Sequence, residues 1–521
     1  MRLQQALTFV LLIGFAVSSH NAKAAGTDVN FLFIYTDDQS HRTVGCYEEA
    51  YEWARTPHID ALAAQGVRFS RAYIGAWCMP SRATILTGHH QHGIESMRME
   101  GQYPGSAYDP EKCPFWPSDF RKRGYHTAQI GKWHTGVDTG HGRDWDFQMV
   151  WNRPGLPDNA PNYYYDQKIS VNGGEPKLTK GYSTDNYTDW AVDYINGKNR
   201  TGDKPWFLWL CYGAVHGPFT PADRHLDDYP NARVDPPAGI YPPREGKPEY
   251  MRTMEFWEKG KDGQPEERKV RDKIPVGMKD MPGRPLRDWV RQYHQGVRAI
   301  DEGVGRLVKA LKDSGQYGNT VIIFTSDQGF AWGQLGSKSK VAPYKATVAA
   351  PLIIVPARDL RHRTAGKVIQ DPVSGVDLPP TIYQLAGMSH PWAFHGRSLM
   401  TFLARGYRAS QAPAMLVHTA KQYGSNTAEI PPKGDPKATH GPGVPWYVML
   451  AEGRYKYIRN LVEGEVEELY EVRKDPDEMK NLAMDEKHQE ILKEYRAKAV
   501  AELKRTEAPF VDVMPKASTM R

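Results

Sequence analysis

Nowhere in the 521 residues is there a run of lysine and arginine dense enough for a nucleic-acid footprint. The formal net charge of +6 suits an anionic partner, but spread over this length it defines no binding face. Beyond the N-terminal segment no apolar stretch is long enough to span a bilayer, which excludes an integral membrane protein of the helical kind. Internal repeats and low-complexity blocks are absent too, so the chain is not an array of small units. Cysteine is scarce: Cys46, Cys78, Cys113 and Cys211 are all there are, and nothing in the sequence pairs them. With 40% hydrophobic and 25% charged residues, disorder is excluded as well.

The N-terminus has the pattern of a cleavable secretory signal. Arg2 precedes an apolar run from Ala6 to Val17, and the small-residue site Ala22-Lys23-Ala24 follows. Residues 1–24 are therefore expected to be removed, leaving a protein that begins near Ala25 and works outside the cytoplasm, secreted or periplasmic. The remaining length favours a large domain plus a smaller one.

Apolar runs mark the strands. Val29 to Tyr35 reads as a buried strand ending on Asp37-Asp38-Gln39, Val67 to Ile74 as one leading to Cys78, and Tyr125 to Ile130 as one delivering Gly131-Lys132-Trp133-His134 to a loop. Trp206 to Tyr212 ends near His216, Thr320 to Phe324 ends on Asp327-Gln328, and Pro351 to Val355 is a further strand. Helices are predicted from Pro57 to Gly66, from Leu286 to about Ser314 and from Asp377 to Leu385. Strands alternating with helices imply a mixed or parallel sheet covered on both faces. Residues 219–285, rich in proline, glycine and charge, read as a surface insertion. After residue 405 the short strands Tyr447 to Ala451, Tyr455 to Arg459 and Glu468 to Val472, with a charged helix from Glu486 to Leu503, imply a small antiparallel sheet domain over 406–521, beside a catalytic domain over 25–405.

Carboxylates at the ends of buried strands sit where open α/β sheets place ligands. Asp37, Asp38 and Asp327 with the amide of Gln328 make an oxygen-only set, which selects Ca²⁺ or Mg²⁺ over Zn²⁺. Cys78 lies in a Met-Pro turn just before the N-terminus of a short apolar helix that Gly88 ends, a place that favours a tetrahedral anion.

The run Cys78-Met79-Pro80-Ser81-Arg82 followed by Ala83-Thr84-Ile85-Leu86-Thr87-Gly88 resembles the maturation signature of the type I sulfatases, within the alkaline phosphatase superfamily. Similar elements run over most of the chain: Thr56-Pro57-His58-Ile59-Asp60, Gly131-Lys132-Trp133-His134, Val215-His216-Gly217-Pro218, Ala299-Ile300-Asp301, Asp377-Leu378-Pro379-Pro380-Thr381 and Glu468-Leu469-Tyr470. The resemblance implies an alkaline-phosphatase-like α/β/α sandwich with a central mixed sheet and a smaller C-terminal antiparallel sheet with a helix. It implies that a formylglycine-generating enzyme oxidises Cys78 to formylglycine (3-oxoalanine), whose hydrate is the nucleophile, and that three cysteines remain, enough for at most one disulfide. It implies one Ca²⁺ held by Asp37, Asp38, Asp327, Gln328 and position 78, with Gln328 the less common amide choice. Arg82 and Lys132 then orient the nucleophile and the sulfate, His134 is the base that expels sulfate, and His216 stands beside the leaving oxygen. Lys340 matches the second substrate lysine, although Lys338, two residues away, competes for that part.

The implied reaction is sulfate ester hydrolysis, and the expected substrate is a sulfated polysaccharide or oligosaccharide. Aromatic and basic residues near the catalytic segments, among them His89, His90, His92, Arg98, Arg143, Trp145, Trp151, Arg153 and Tyr163 to Tyr165, are candidates for stacking on sugars and pairing with sulfates. A phosphate or phosphonate ester hydrolase of the same superfamily and an inactive secreted glycan-binding protein are the rival readings.

Overall fold

Strand pairing begins from the seven-residue run Asn30–Thr36, every residue of which is buried. Its side chains alternate between two cores: Phe31, Phe33 and Tyr35 enter one hydrophobic cluster and Leu32 and Ile34 the other. A strand that is apolar on both faces has to lie in the middle of a layered fold, and this one does. The computed structural model describes residues 29–98, 107–268, 284–358, 364–404 and 412–517; the expected signal peptide lies outside them.

The eleven-stranded sheet runs in the order Lys367–Ile369, Val67–Tyr73, Ala349–Val355, Thr320–Ser326, Asn30–Thr36, Trp206–Cys211, His126–Trp133, Phe147–Asn152, Gln167–Val171 and Lys177–Thr179, with Val373–Ser374 also on Val67–Tyr73. Asn30–Thr36 pairs in parallel with Thr320–Ser326 and Trp206–Cys211, which in turn is parallel to His126–Trp133. Ala349–Val355 is antiparallel to both of its neighbours, so Val67–Tyr73 again points the same way as the central strand. The carboxyl ends of five strands therefore meet at one edge. The long helix Leu286–Asp313 packs with Ser183–Ile195 and Pro57–Gln65 on one face, and Cys78–Thr87 packs with Leu378–Leu385 on the other. Asp301, in the long helix, accepts from the His58 and Ile59 amides at 3.0 and 2.9 Å, satisfying orphan donors at the start of Pro57–Gln65.

The smaller sheet is antiparallel in the order Ala414–His418, Tyr447–Glu452, Tyr455–Asn460, Glu467–Glu471. One face packs Leu450, Tyr457 and Leu469 with Leu492, Tyr495 and Leu503 of the helix Gln489–Arg505. The other, with Tyr447, Met449, Ile458 and Tyr470, joins the core of the large sheet. The first of its strands, Ala414–His418, had no expectation from sequence. Segment 219–285 is anchored where it is described: Arg244, Lys247 and Met251 are buried, and Lys247 Nζ donates to Tyr470 Oη at 2.6 Å. All four cysteines are unpaired. No described helix is long and apolar enough to cross a membrane.

Two boundaries differ from expectation at the site edge. Cys78 is the first residue of its helix, Cys78–Thr87, with Trp77 as the cap. The strand His126–Trp133 runs on through Lys132, which the sequence placed in a loop. It does so because Gly131 adopts φ +104° and comes so close to the next strand that a Cβ there would lie 2.1 Å from the Cys211 carbonyl oxygen. Gly131→Ala should therefore cost about 3 kcal/mol, read as a lowered midpoint in urea unfolding; an unchanged midpoint would show that the edge can relax.

Candidate active site

Register sets the height of each functional group. Tyr35 pairs with Thr325 and Cys211, and Cys211 with Gly131, so Lys132, Thr36 and Ser326 stand level at the sheet edge. One residue further on, Asp37 and Asp327 emerge side by side. The Asp38 amide donates to Asp327 Oδ1 at 3.0 Å and the Gln39 amide to Ser326 Oγ at 2.9 Å. Asp38 adopts φ +56°, a conformation Asp tolerates better than most residues. The turn is pinned from the long helix, where Tyr293 Oη donates to the Asp38 carbonyl and accepts from the Ser40 amide at 2.7 Å.

Asp37 is the hub. Arg82 Nη2 reaches its Oδ2 at 2.9 Å and Asp327 Oδ2 at 3.4 Å, Lys132 Nζ donates to the same Asp37 oxygen, and Cys78 Sγ lies 3.4 Å from Oδ1. Burial alone would raise the Asp37 carboxyl, but Lys132, with Arg82 and Lys340, holds it well below the usual range. Asp38 is raised by burial, with Lys340 opposing, and Asp327 is pushed to about 7 by burial and then by Asp37. Lys340 Nζ sits 2.7 Å from Asp38 Oδ1 and 3.0 Å from Cys78 Sγ. Burial works against its charge, yet Asp38, with Asp37 and Asp327 behind it, outweighs that. Lys338 goes elsewhere: it pairs with Glu267 at 2.6 Å and lies 3.6 Å over the Trp289 ring.

Oxygens of Asp37, Asp38 and Asp327 all lie within 4.8 Å of one another, and so do ligand atoms of Asp37, Cys78 and His216. Gln328 donates its amide to Asp38 Oδ1, and Ser81 Oγ faces the Gln328 amide oxygen at 3.4 Å. This is a set of hard oxygen donors suited to a divalent cation. Burial, then Asp37, pushes the Cys78 thiol up to about 12, so as a thiol it is no nucleophile at neutral pH.

Two imidazoles complete the cleft. His216 Nδ1 faces the Gly217 carbonyl at 2.8 Å and must carry the hydrogen there, which leaves Nε2 towards Asp38 Oδ2 at 3.8 Å. His134 Nε2 accepts from Arg153 at 3.4 Å, and its buried Nδ1 has no partner among the described residues. Burial, reinforced by Lys132 at His134 and by Lys340 at His216, keeps both rings neutral. The sheet edge thus assembles Asp37, Asp38, Cys78, Arg82, Lys132, His134, His216, Asp327, Gln328 and Lys340.

The outer candidates divide. Tyr163 stacks on His216 at 4.0 Å and accepts from Lys132 Nζ at 3.3 Å, and Arg153 lies over the Tyr163 ring at 4.7 Å, so both belong to the inner wall. Tyr164 Oη donates to the His216 carbonyl. Trp145 and Trp151 are fully buried core residues, and His90 and His92 are buried beside His395 in a cluster of stacked rings. Arg153 and Tyr163 are both among the sequence's candidates for substrate contact, but the strand Phe147–Asn152, which leads into Arg153, had no expectation of its own. Truncating Arg82 leaves two buried carboxylates facing each other, so Arg82→Ala should cost about 3–5 kcal/mol in unfolding free energy; a loss under about 1 kcal/mol would mean that Lys132 alone balances the charge.

Comparison with known proteins gives the same direction. The profile of the family described as Sulfatase matches residues 29–388. The N-acetylglucosamine-6-O-sulfatase of Bacteroides thetaiotaomicron is 28% identical over 496 residues, covering 87% of this chain and 82% of that protein. The arylsulfatase of Clostridium perfringens is 24% identical over 513 residues, covering 93% and 96%. Among solved structures, a protein in complex with its substrate D-glucosamine-2-N,6-O-disulfate superposes with a TM-score of 0.73 at 23% identity, covering 92% of this chain and 98% of that one. The phosphonate monoester hydrolase of Agrobacterium radiobacter superposes with a TM-score of 0.64 at 20% identity, covering 92% and 96%.

Proposed function

Because the chain belongs to the sulfatase family and is a sulfatase enzyme, we propose that it removes sulfate from a sulfated carbohydrate outside the cytoplasm, with a formylglycine made from Cys78 and a bound Ca²⁺. The observation that carries this reading is the position of Cys78 Sγ, 3.4 Å from Asp37 and 3.0 Å from Lys340 in a cleft of buried carboxylates and cations. A thiol held in its protonated form is no nucleophile there, whereas an aldehyde at position 78 would supply, as its hydrate, an oxygen nucleophile. Asp37, Asp38, Asp327 and Gln328 would hold the ion, which supplies positive charge opposite the sulfonate oxygens. Turning over the Gln328 amide exchanges its nitrogen and oxygen without moving the side chain, and offers the ion an oxygen.

The chain's own groups do the rest. Lys132, paired with Asp37, and Lys340, paired with Asp38, bind the sulfonate oxygens. Arg82 bridges Asp37 and Asp327 and orients both carboxyl groups. His216 presents Nε2, unprotonated in the neutral ring, on the side of the leaving oxygen, so it returns a proton there only after first taking one up, and the neutral His134 is the second proton acceptor of the cleft. Tyr163, flat against His216, fixes that ring and narrows access. The carbohydrate assignment is supported by the relatives' names, which include N-acetylglucosamine-6-sulfatases from Bacteroides thetaiotaomicron and Homo sapiens. Processing by a formylglycine-generating enzyme and export through the N-terminal signal belong to the same proposal.

Mass spectrometry of the peptide spanning Cys78, from protein made in its native host, should give the aldehyde mass; an unmodified thiol would overturn the mechanism. Cys78→Ala should lower turnover by more than about 10³-fold with melting unchanged. In competition, sulfate esters should be cleaved ahead of the matching 4-nitrophenyl phosphate and phosphonate, and sulfated oligosaccharides ahead of the aryl sulfate; equal rates on every ester would sink the carbohydrate reading. Chelation should lower both activity and melting temperature, Ca²⁺ should restore them, and Asp327→Ala should abolish that response. Melting indifferent to chelator and to Ca²⁺ would rule the metal out.

A further inference from the structure

Lys340 enters the cleft from an unusual stretch of backbone. The next residue, Val341, is buried and adopts φ +84°, a region that a β-branched side chain rarely occupies. Such a conformation persists only where the surroundings over-determine it. Here the surroundings come from the C-terminal sheet. Tyr447 Oη donates to the Val341 carbonyl at 2.7 Å, and Gly441 packs so closely that a Cβ there would lie 3.3 Å from Val341 Cγ2. Tyr447 is itself fully buried and begins the strand Tyr447–Glu452, paired with His418. On the far side of Val341, the Ala342 carbonyl accepts from the Tyr344 amide at 2.8 Å and from Thr347 Oγ1. The segment after Lys340 is thus clamped at successive carbonyls, once by the C-terminal sheet and once by its own turn.

The same C-terminal region also covers the Cys78 turn. His440, in the hairpin formed by Thr439–His440 and Val444–Pro445, stacks on Trp77 with ring centroids 4.1 Å apart. Two contacts, one from the four-stranded sheet and one from the hairpin just before its strand Tyr447–Glu452, therefore run from the C-terminal region to the two segments whose side chains meet at Cys78 Sγ. Where the Lys340 ammonium can reach is set by where its backbone is held, since each rotamer carries it a fixed distance from Cα.

We propose that Tyr447 is a positioning residue for Lys340: its hydroxyl holds the Val341 carbonyl, and through it the Lys340 backbone, so that Nζ stands between Asp38 and position 78. The C-terminal sheet is then part of the active site although no atom of Tyr447 enters the cleft. The activity arm of the test rests on the sulfatase reading, and a second arm does not.

Tyr447→Phe keeps the ring and removes the hydroxyl. Its kcat/KM on 4-nitrophenyl sulfate should fall about tenfold, with melting temperature within a few degrees of the unaltered protein. In a Lys340→Ala background the same change should alter kcat/KM less than about twofold, because nothing is left to position. An equal loss in both backgrounds would overturn the proposal, as would no loss in either. The second arm is timed acylation of lysines followed by peptide mass spectrometry. Lys340 should be labelled severalfold faster in Tyr447→Phe, while Lys345, held by Glu49 on the next turn, keeps its rate. Unchanged labelling of Lys340 would overturn the proposal even in a protein that cleaves no sulfate ester, an outcome that would separately defeat the functional reading.

Discussion

The balance of charge around Asp37 is the constraint on which the site depends. Arg82, Lys132 and Lys340 face Asp37, Asp38 and Asp327 in a cleft where Arg82, Lys132, Asp37 and Asp327 have no exposed side-chain surface. Each of these ions alone would cost several kcal/mol to bury, and only mutual pairing with good geometry offsets that. The partners come from different strands and helices, so the balance exists only when the sheet is in register. A one-residue slip of the central strand would turn Asp37 to the other face and leave Arg82 facing Asp327 alone.

The same dependence explains why the smaller sheet is fused to the larger one. Both of its faces are buried, one under its own helix and one against the large core. Charged groups seal the junction: Lys456 Nζ donates to Glu478 Oε1 at 2.5 Å, Tyr344 Oη to Glu468 Oε2 at 2.8 Å, and Lys247 reaches Tyr470. These residues flank the turn that carries Lys340. A cleft whose cations arrive on irregular backbone needs that backbone held from outside, and the C-terminal sheet supplies the hold.

Much of the site was readable because its residues end long apolar runs. Asp37, Asp38, Asp327 and Gln328 follow strands whose burial shows in every residue, and Cys78 and Arg82 sit in a motif of distinctive spacing. The misplacements have local causes. Lys132 read as loop because glycine and lysine break an apolar pattern, whereas a glycine at positive φ let the strand continue. His90, His92, Trp145 and Trp151 read as surface contacts because aromatic and basic residues look alike whether they face a ligand or a core; Thr506 and Phe207, distant in the chain, take His92 and Trp145 inward, and Asn159, in the next loop, takes Trp151. Lys338 and Lys340 are equivalent by composition, and only the Glu267 and Trp289 contacts draw one of them away.

By itself the sequence determined the layered α/β class, the five strand ends that carry chemistry, and the resemblance that names the reaction, because each is written in local pattern. Tertiary structure decided which groups share a cleft, which lysine faces Cys78, and that Tyr163 and Arg153 line the inner wall. These outcomes depend on strand register and on contacts between residues tens to hundreds of positions apart, and no local pattern encodes either.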